Sequence, residues 1–113
     1  MRQAIYALVL LLPGAALGEE AVWQKLSGAQ ITAALTGRAL QYDTAWQDFR
    51  ASGRTLYHAG RDSWGYWRVE ADQYCSMWPP SDLWACYAME RAGDRLRFIG
   101  IGADDVTEAT YRD

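Results

Sequence analysis

Turn-forming residues recur about every ten residues from Gly37 to the end of the chain, a spacing typical of short antiparallel strands joined by hairpins. The segments between these turns are rich in aromatic residues and too short to contain a crossover helix, so parallel pairing is not expected. The turns lie at 51–53, 60–62, 70–72, 79–82, 92–94 and 102–105. The predicted strands cover 39–43, 46–49, 54–59, 64–69, 73–78, 83–90 and 95–101, with a last short strand at 106–111.

A short helix is predicted ahead of these strands, at about residues 27–36. Ser27 is suited to cap its first turn, and Gln30 stands three residues later, as in a capping box. Gly37 is expected to end the helix in the left-handed conformation. Because a helix of this length is not stable alone, its apolar face around Ile31 must pack on the strands.

The first 18 residues have the architecture of a cleaved secretory signal peptide. Arg2 is followed by an apolar stretch at 4–12, and small residues at 16–18 form a cleavage site. A membrane-spanning helix needs about 20 apolar residues, which favours the cleaved peptide over an anchor. We therefore expect one β-rich domain over 19–113, periplasmic or secreted, with no transmembrane anchor after cleavage.

The two cysteines, Cys75 and Cys86, are predicted to form a structural disulfide bond. Exported proteins fold in oxidising compartments, where small domains often contain disulfides. A four-residue loop at 79–82 would place Cys75 directly opposite Cys86 in an antiparallel pair. The spacing between them is wider than the Cys-x-x-Cys of redox-active sites.

The same hairpin register divides its residues between two faces of the sheet. We assign to the core the face that carries the disulfide, together with Met77, Trp84 and Ala88. The opposite face would carry Trp78, Leu83, Ala85, Tyr87 and Met89. The fold class is mainly β (α+β): one short N-terminal helix, then an antiparallel meander of about seven strands, strongly curved or closed into a small barrel. Its centre is expected at Trp67, Trp84, Leu96 and Phe98.

The composition excludes several classes of function. The chain has a formal net charge of −3, whereas nucleic-acid binding requires a basic surface. The chain has a single histidine, His58, and its cysteines are expected to be bridged, so no metal site is predicted. It also lacks nucleotide-binding and nucleophile-elbow motifs, so neither a cofactor nor enzyme activity is predicted. If the protein were an enzyme, His58, Asp62 and Ser63 would be its candidate catalytic residues. The acidic residues at 104–108 are interpreted as a solvated turn, since their spacing does not match a calcium loop.

Six tryptophans and seven tyrosines stand out in a chain of 113 residues. Exposed Trp, Tyr and Arg side chains are the usual anchors of interfaces. The candidate binding residues are Trp64, Tyr66, Arg68 and Trp78. We therefore predict a non-catalytic exported binding module that recognises a protein or a cell-envelope component, for example an inhibitor-like or accessory protein. The alternative is a small barrel that carries an apolar small molecule, although a small core with many bulky rings leaves little room for a cavity.

Several motifs together resemble a pattern in small exported proteins of proteobacteria. They are Gly65-x-Trp67-x-Val69, Tyr74-Cys75-Ser76-x-Trp78-Pro79 and Trp84-x-Cys86-Tyr87. The resemblance spans most of residues 33–100, and it implies an exported domain of a family of unknown function, with no catalytic residues to transfer. The Gly65-x-Trp67 element is also similar to the lipocalin signature, which in that family lies on the first strand of a much longer chain.

Overall fold

The computed structural model describes residues 21–112, which form one short helix and nine strands. The predicted signal peptide at 1–18 lies outside these residues. Among residues 21–112 there is no helix long and apolar enough to cross a membrane. In chain order the elements are β1 Gln24–Lys25, α1 Gly28–Leu35, β2 Arg38–Gln41, β3 Trp46–Phe49, β4 Arg54–His58, β5 Asp62–Glu70, β6 Gln73–Met77, β7 Ala85–Ala92, β8 Arg95–Ile99 and β9 Val106–Arg112.

Strands β2 to β9 form an antiparallel meander that closes into an eight-stranded barrel. Each strand pairs with the next along the chain, and β9 also pairs with β2. The predicted mainly-β meander with a short N-terminal helix is therefore confirmed, and the sheet closes. The eight barrel strands match the predicted segments to within a few residues. Strand β1, which pairs with β7 outside the barrel, was not predicted because two exposed residues carry no recognisable pattern.

The helix begins and ends as its sequence predicts. The Ser27 hydroxyl accepts a hydrogen bond from the Gln30 backbone N–H at 3.2 Å, and the Gln30 side chain accepts one from the Ser27 N–H at 2.8 Å. After the helix, Gly37 has a φ of +73°, and its N–H donates to the Phe49 carbonyl at 2.7 Å. A glycine is needed there because this φ is strained for other residues.

The helix packs against β2, β5 and β6 and closes one end of the barrel. Two hydrogen bonds hold it there: the Tyr111 hydroxyl donates to the Ala34 carbonyl at 2.8 Å, and the Gly28 N–H donates to the Asp72 carboxylate at 2.7 Å. The core lies between the helix and the barrel wall. It consists of Leu26, Ile31, Leu35, Leu40, Phe49, Trp67, Tyr74, Met89, Leu96, Phe98 and Ala109.

The hairpin of β6 and β7 has the predicted register, but the face that was predicted to point into the core points outward. Cys75 pairs with Cys86 and the disulfide bond is formed, although the connecting segment is 78–84 rather than 79–82. The inward residues are Tyr74 and Ser76 on β6 with Tyr87 and Met89 on β7. The predicted core face was therefore wrong, because the disulfide lies on the outer surface of the barrel.

Trp84 belongs to that outer surface and not to the core. The Arg68 guanidinium lies 4.0 Å from the centroid of the Trp84 ring, and Arg68 is the β5 neighbour of Cys75. Cys75 is nevertheless fully buried, since these long side chains lie on the same surface beside it. Trp67 lies in the core as predicted.

Candidate functional site

The end of the barrel opposite the helix is open and contains a cavity of about 920 Å³. The core and the helix fill only the other end, which is why bulky rings do not occupy the whole interior. Part of the wall is built from small side chains, Ser63 on β5 and Ser76 on β6. This volume departs from the expectation that the aromatic residues would leave little internal space.

Besides Trp64, six aromatic residues line the cavity, and their rings form a continuous series of contacts. We call them the aromatic belt: Tyr87, Tyr74, Phe98, Tyr42, Tyr57 and Trp78, in the order in which they touch. Centroids of successive rings are 6.2, 5.1, 6.2, 6.1 and 6.0 Å apart. Their planes differ by between 33° and 70°, so a molecule in the cavity meets both ring faces and ring edges.

Strand alternation and one glycine place the belt inside the barrel. Tyr57 on β4 pairs with the inward residue Gln47, so its ring faces the same side of the sheet. Trp78 follows β6 and packs on Gly65 of β5, where an added Cβ would lie 2.5 Å from Trp78 Cε3. Gly65 therefore makes the room that lets Trp78 line the cavity wall.

A buried hydrogen-bonded cluster forms the floor of the cavity. The Gln47 amide donates to Thr55 Oγ1 at 2.9 Å and to the Tyr74 hydroxyl at 3.2 Å, and the Tyr42 hydroxyl donates to Gln47 Oε1 at 2.7 Å. These bonds satisfy polar groups whose burial without partners would be costly. Burial raises the pKa of both Tyr42 and Tyr74, and the neighbouring tyrosines Tyr74 and Tyr57 raise the pKa of Tyr42 further.

This cluster makes the protein sensitive to alkali. Tyr42 and Tyr74 ionise near the ordinary tyrosine pKa of 10.0 in the unfolded chain, and only at higher pH in the folded one because burial raises the pKa of both. The unfolded state then binds fewer protons, so stability is intact below pH 10 and falls as pH rises, by about 1.4 kcal/mol per pH unit for each tyrosine. Urea unfolding at a series of alkaline pH values measures this slope.

Tyr42→Phe is expected to make that slope shallower by about 1.4 kcal/mol per pH unit. Tyr66→Phe, which removes an exposed phenol on the outer surface, serves as the control. A slope unchanged by Tyr42→Phe would contradict the assignment.

Three carboxylates lie at the mouth of the cavity, on Asp43, Asp105 and Glu108. Among the described residues that line the cavity there is no Lys, Arg or His. The Gly100 N–H donates to the Asp105 carbonyl at 2.8 Å, and a Cβ on Gly100 would overlap the Asp105 carboxylate and lie 3.0 Å from the Tyr87 ring. The Asp105 carboxylate and the Tyr87 ring thus meet over Gly100.

The four residues predicted to bind a partner lie in two places. Trp64, Tyr66 and Arg68 share the outer surface of β5, where Trp64 and Tyr66 are each 42% exposed. The Arg54 guanidinium lies 4.7 Å from the Trp64 ring centroid and 5.6 Å from that of Tyr66. Trp78 belongs to the aromatic belt inside the barrel, and Trp64 is also among the residues that line the cavity.

The residues considered for catalysis do not converge. His58 Nδ1 lies 2.8 Å from Asp62 Oδ1, and the His58 ring stacks on Trp46 on the outer surface, with centroids 5.4 Å apart. Ser63 lines the cavity on the other side of the sheet. Glu70 lies close to the two disulfide sulfurs, but sulfurs joined in a disulfide are not the thiolates that bind metals.

Most of the belt was not predicted as a site. Phe98 was predicted to lie at the centre of the barrel, and an inward position for Tyr57 could have been inferred from the pairing of β3 with β4. Tyr74 and Tyr87 lie in a hairpin that is apolar on both faces, where alternation does not distinguish inside from outside.

Comparisons of the chain with protein-family models, with curated proteins and with solved structures found no match. The resemblance to small exported proteins of proteobacteria therefore stays a prediction. The cavity, its aromatic belt and its carboxylates are the features on which a functional proposal can rest.

Proposed function

We propose that this protein is an exported, non-catalytic binding protein that holds a small molecule in the open end of its barrel. The cavity of about 920 Å³ carries the proposal. Pockets for small ligands typically measure about 300–1,000 Å³ and combine aromatic walls with a few placed polar groups. The aromatic belt and the Gln47 floor have this composition, and they make the carrier alternative the better-supported function.

The lining favours an amphipathic ligand over a purely apolar one. The rings of the belt offer apolar contact area, and the phenol groups of Tyr57 and Tyr87 can each donate or accept a hydrogen bond. The Gln47 amide lies below them and is already bonded to both Tyr42 and Tyr74. A ligand that fits therefore combines a hydrophobic or aromatic body with polar groups near the mouth.

The cavity is held in shape by interactions that do not involve a ligand. The floor cluster is closed within the protein, and the disulfide bond joins β6 to β7, the strands that carry Tyr74 and Tyr87. A preformed site needs little ordering on binding, which reduces the free-energy cost of association.

A second candidate function is recognition of a protein or envelope component by the outer surface of β5. The exposure of Trp64 and Tyr66, 42% each, favours it, since exposed aromatic residues beside arginine are common interface anchors. We rank it second because Arg50 and Arg54 both lie 4.7 Å from the Trp64 ring centroid and already cover part of that ring.

Filling the cavity is expected to abolish small-molecule binding. Ser63→Phe adds a ring to the wall beside Tyr57, and we expect it to weaken binding by tenfold or more, because steric exclusion removes the site. Saturation-transfer NMR with a library of neutral, cationic and anionic compounds measures this on the purified protein. Ser52→Phe, in the exposed turn before β4, is the matched control and should leave binding unchanged.

The same comparison separates the two candidates. Compounds that bind wild type and Ser63→Phe equally would place binding outside the cavity and refute the proposal. Loss of binding in Tyr66→Ala, with Ser63→Phe unaffected, would assign the function to the outer surface of β5.

A further inference from the structure

We infer that the ligand of this cavity carries a positive charge, as an organic ammonium group that is quaternary or alkylated. This inference rests on the proposed binding function and names the chemical class of the ligand. Three features carry it: the rings of the aromatic belt, the carboxylates at the mouth, and the distribution of cations over the rings of the molecule.

The aromatic belt provides the contact surface for such a group. A cation is attracted to an aromatic face when it lies within about 6 Å of the ring centroid. The centroids of successive belt rings are only 5.1–6.2 Å apart, so a group that lies against the belt from the cavity is close to more than one ring. Tetraalkylammonium groups suit this environment because they lose little hydration and have no hydrogen bonds to satisfy.

The rings of the belt also differ from most other aromatic rings of residues 21–112 in having no cation over them. Outside the belt, arginines lie over the rings of Trp23, Trp46, Trp64 and Trp84, and over Tyr111 at the helix end of the barrel. Within residues 21–112, no Lys or Arg lies over any belt ring. Most aromatic rings elsewhere in this part of the chain are covered by guanidinium groups. The rings of the belt are uncovered and are therefore accessible to the cation of a ligand.

The charge at the mouth selects the sign of the ligand. Asp43, Asp105 and Glu108 line the mouth, and carboxylates beside low-dielectric walls attract cations and repel anions. Glu108 also pairs with Arg95 on the outside of the barrel. Among the described residues, neither Asp43 nor Asp105 forms an ion pair, so both charges remain available to a ligand.

Of the two mouth carboxylates without an ion pair, Asp105 is the one that packs against the belt. Its side chain packs over Gly100, against the ring of Tyr87. A cation at this corner contacts a ring and a carboxylate together, an arrangement that a neutral ligand of the same shape cannot use. Gly100→Ala displaces the carboxylate without changing any charge, so it separates the effect of position from that of charge.

The test compares choline with its neutral isostere, 3,3-dimethylbutan-1-ol, by NMR titration of the purified protein. We expect choline to bind about fivefold more tightly or better, because the isostere lacks the cation–π and carboxylate contacts. Added NaCl should reduce this preference by screening the carboxylates. Asp105→Asn and Gly100→Ala should each lower choline affinity about threefold and leave the alcohol unchanged. Asp94→Asn, in the turn between β7 and β8, is the control.

The outcomes distinguish this inference from the proposed function. If the alcohol or the anion 3,3-dimethylbutanoate binds as tightly as choline or more tightly, the inference of a cationic ligand is wrong. The proposed binding function would still stand if Ser63→Phe abolished binding of that compound. A choline preference untouched by Asp105→Asn and Gly100→Ala would overturn the role of the mouth carboxylate. If no compound, choline included, binds in a manner sensitive to Ser63→Phe, both proposals fail.

Discussion

Replacing Phe49 with alanine is expected to lower the free energy of unfolding by about 3–5 kcal/mol. Phe49 is fully buried at the helix end of the barrel, and its ring meets Trp67 and Tyr74 edge to face, with centroids 5.7 Å away in each case. Truncation removes these contacts and leaves a void. The hydrogen-bonded barrel wall cannot collapse to fill it, which puts the cost at the upper end for core substitutions.

Urea unfolding followed by tryptophan fluorescence measures the loss. The control is Leu83→Ala: the Leu83 side chain is 76% exposed, so its truncation should change stability by less than about 0.5 kcal/mol. A loss below about 1 kcal/mol for Phe49→Ala would show that Phe49 does not lie at the centre of the core.

The core and the cavity share Tyr74 and Phe98, so this change should also affect the site. Tyr74 contacts Phe49 through its ring and accepts a hydrogen bond from Gln47 in the cavity floor. Loss of Phe49 frees the Tyr74 ring to move toward the void, which weakens the hydrogen bond between Tyr74 and Gln47 and disturbs the cavity floor. Stability and ligand binding are therefore coupled at Tyr74.

Removal of the disulfide bond has the second largest expected effect. The double variant Cys75→Ala/Cys86→Ala is expected to lose about 3 kcal/mol, because a cross-link between residues 11 positions apart restricts the unfolded chain. This is a large fraction of the stability of a small domain. Urea unfolding of the double variant and of the oxidised wild type measures the difference.

Reduction provides the control for this prediction. A thiol reductant should destabilise the wild type to about the level of the double variant and leave the double variant itself unchanged. Two free thiols in the denatured, non-reduced protein would contradict the bridge. Because the hairpin of β6 and β7 carries Tyr74, Trp78 and Tyr87, the double variant should also bind ligand more weakly.

The local features of the fold could be predicted because they depend on neighbouring residues. The capping box of Ser27 and Gln30 and the left-handed Gly37 depend on the helix alone. The pairing of Cys75 with Cys86 follows from the count of residues on either side of one turn. It is present in the structure although the connecting segment is longer than predicted. The register of a hairpin depends only on the position of the centre of its turn. The predicted pairing was therefore correct although the predicted loop was too short.

The candidate site was predicted poorly because its residues come together only when the sheet closes. Tyr42 and Phe98 contact each other although they are 56 positions apart, and no local pattern relates them. Trp78 was predicted to form one surface with Trp64 and Tyr66, but its ring lies inside the barrel, whereas Tyr66 lies on the outer face of β5.

By itself, then, the sequence determined the strands, the helix caps, the meander and the disulfide pairing, since each depends on short-range geometry and on turn spacing. Only the tertiary structure decided which face of each strand lies inside. In the β6–β7 hairpin both faces are apolar, so burial energy alone does not distinguish them, and closure of β9 onto β2 turned the Tyr87 face inward and left the disulfide outside. The helix then filled one end of the barrel, and the aromatic belt lines the end that stayed open.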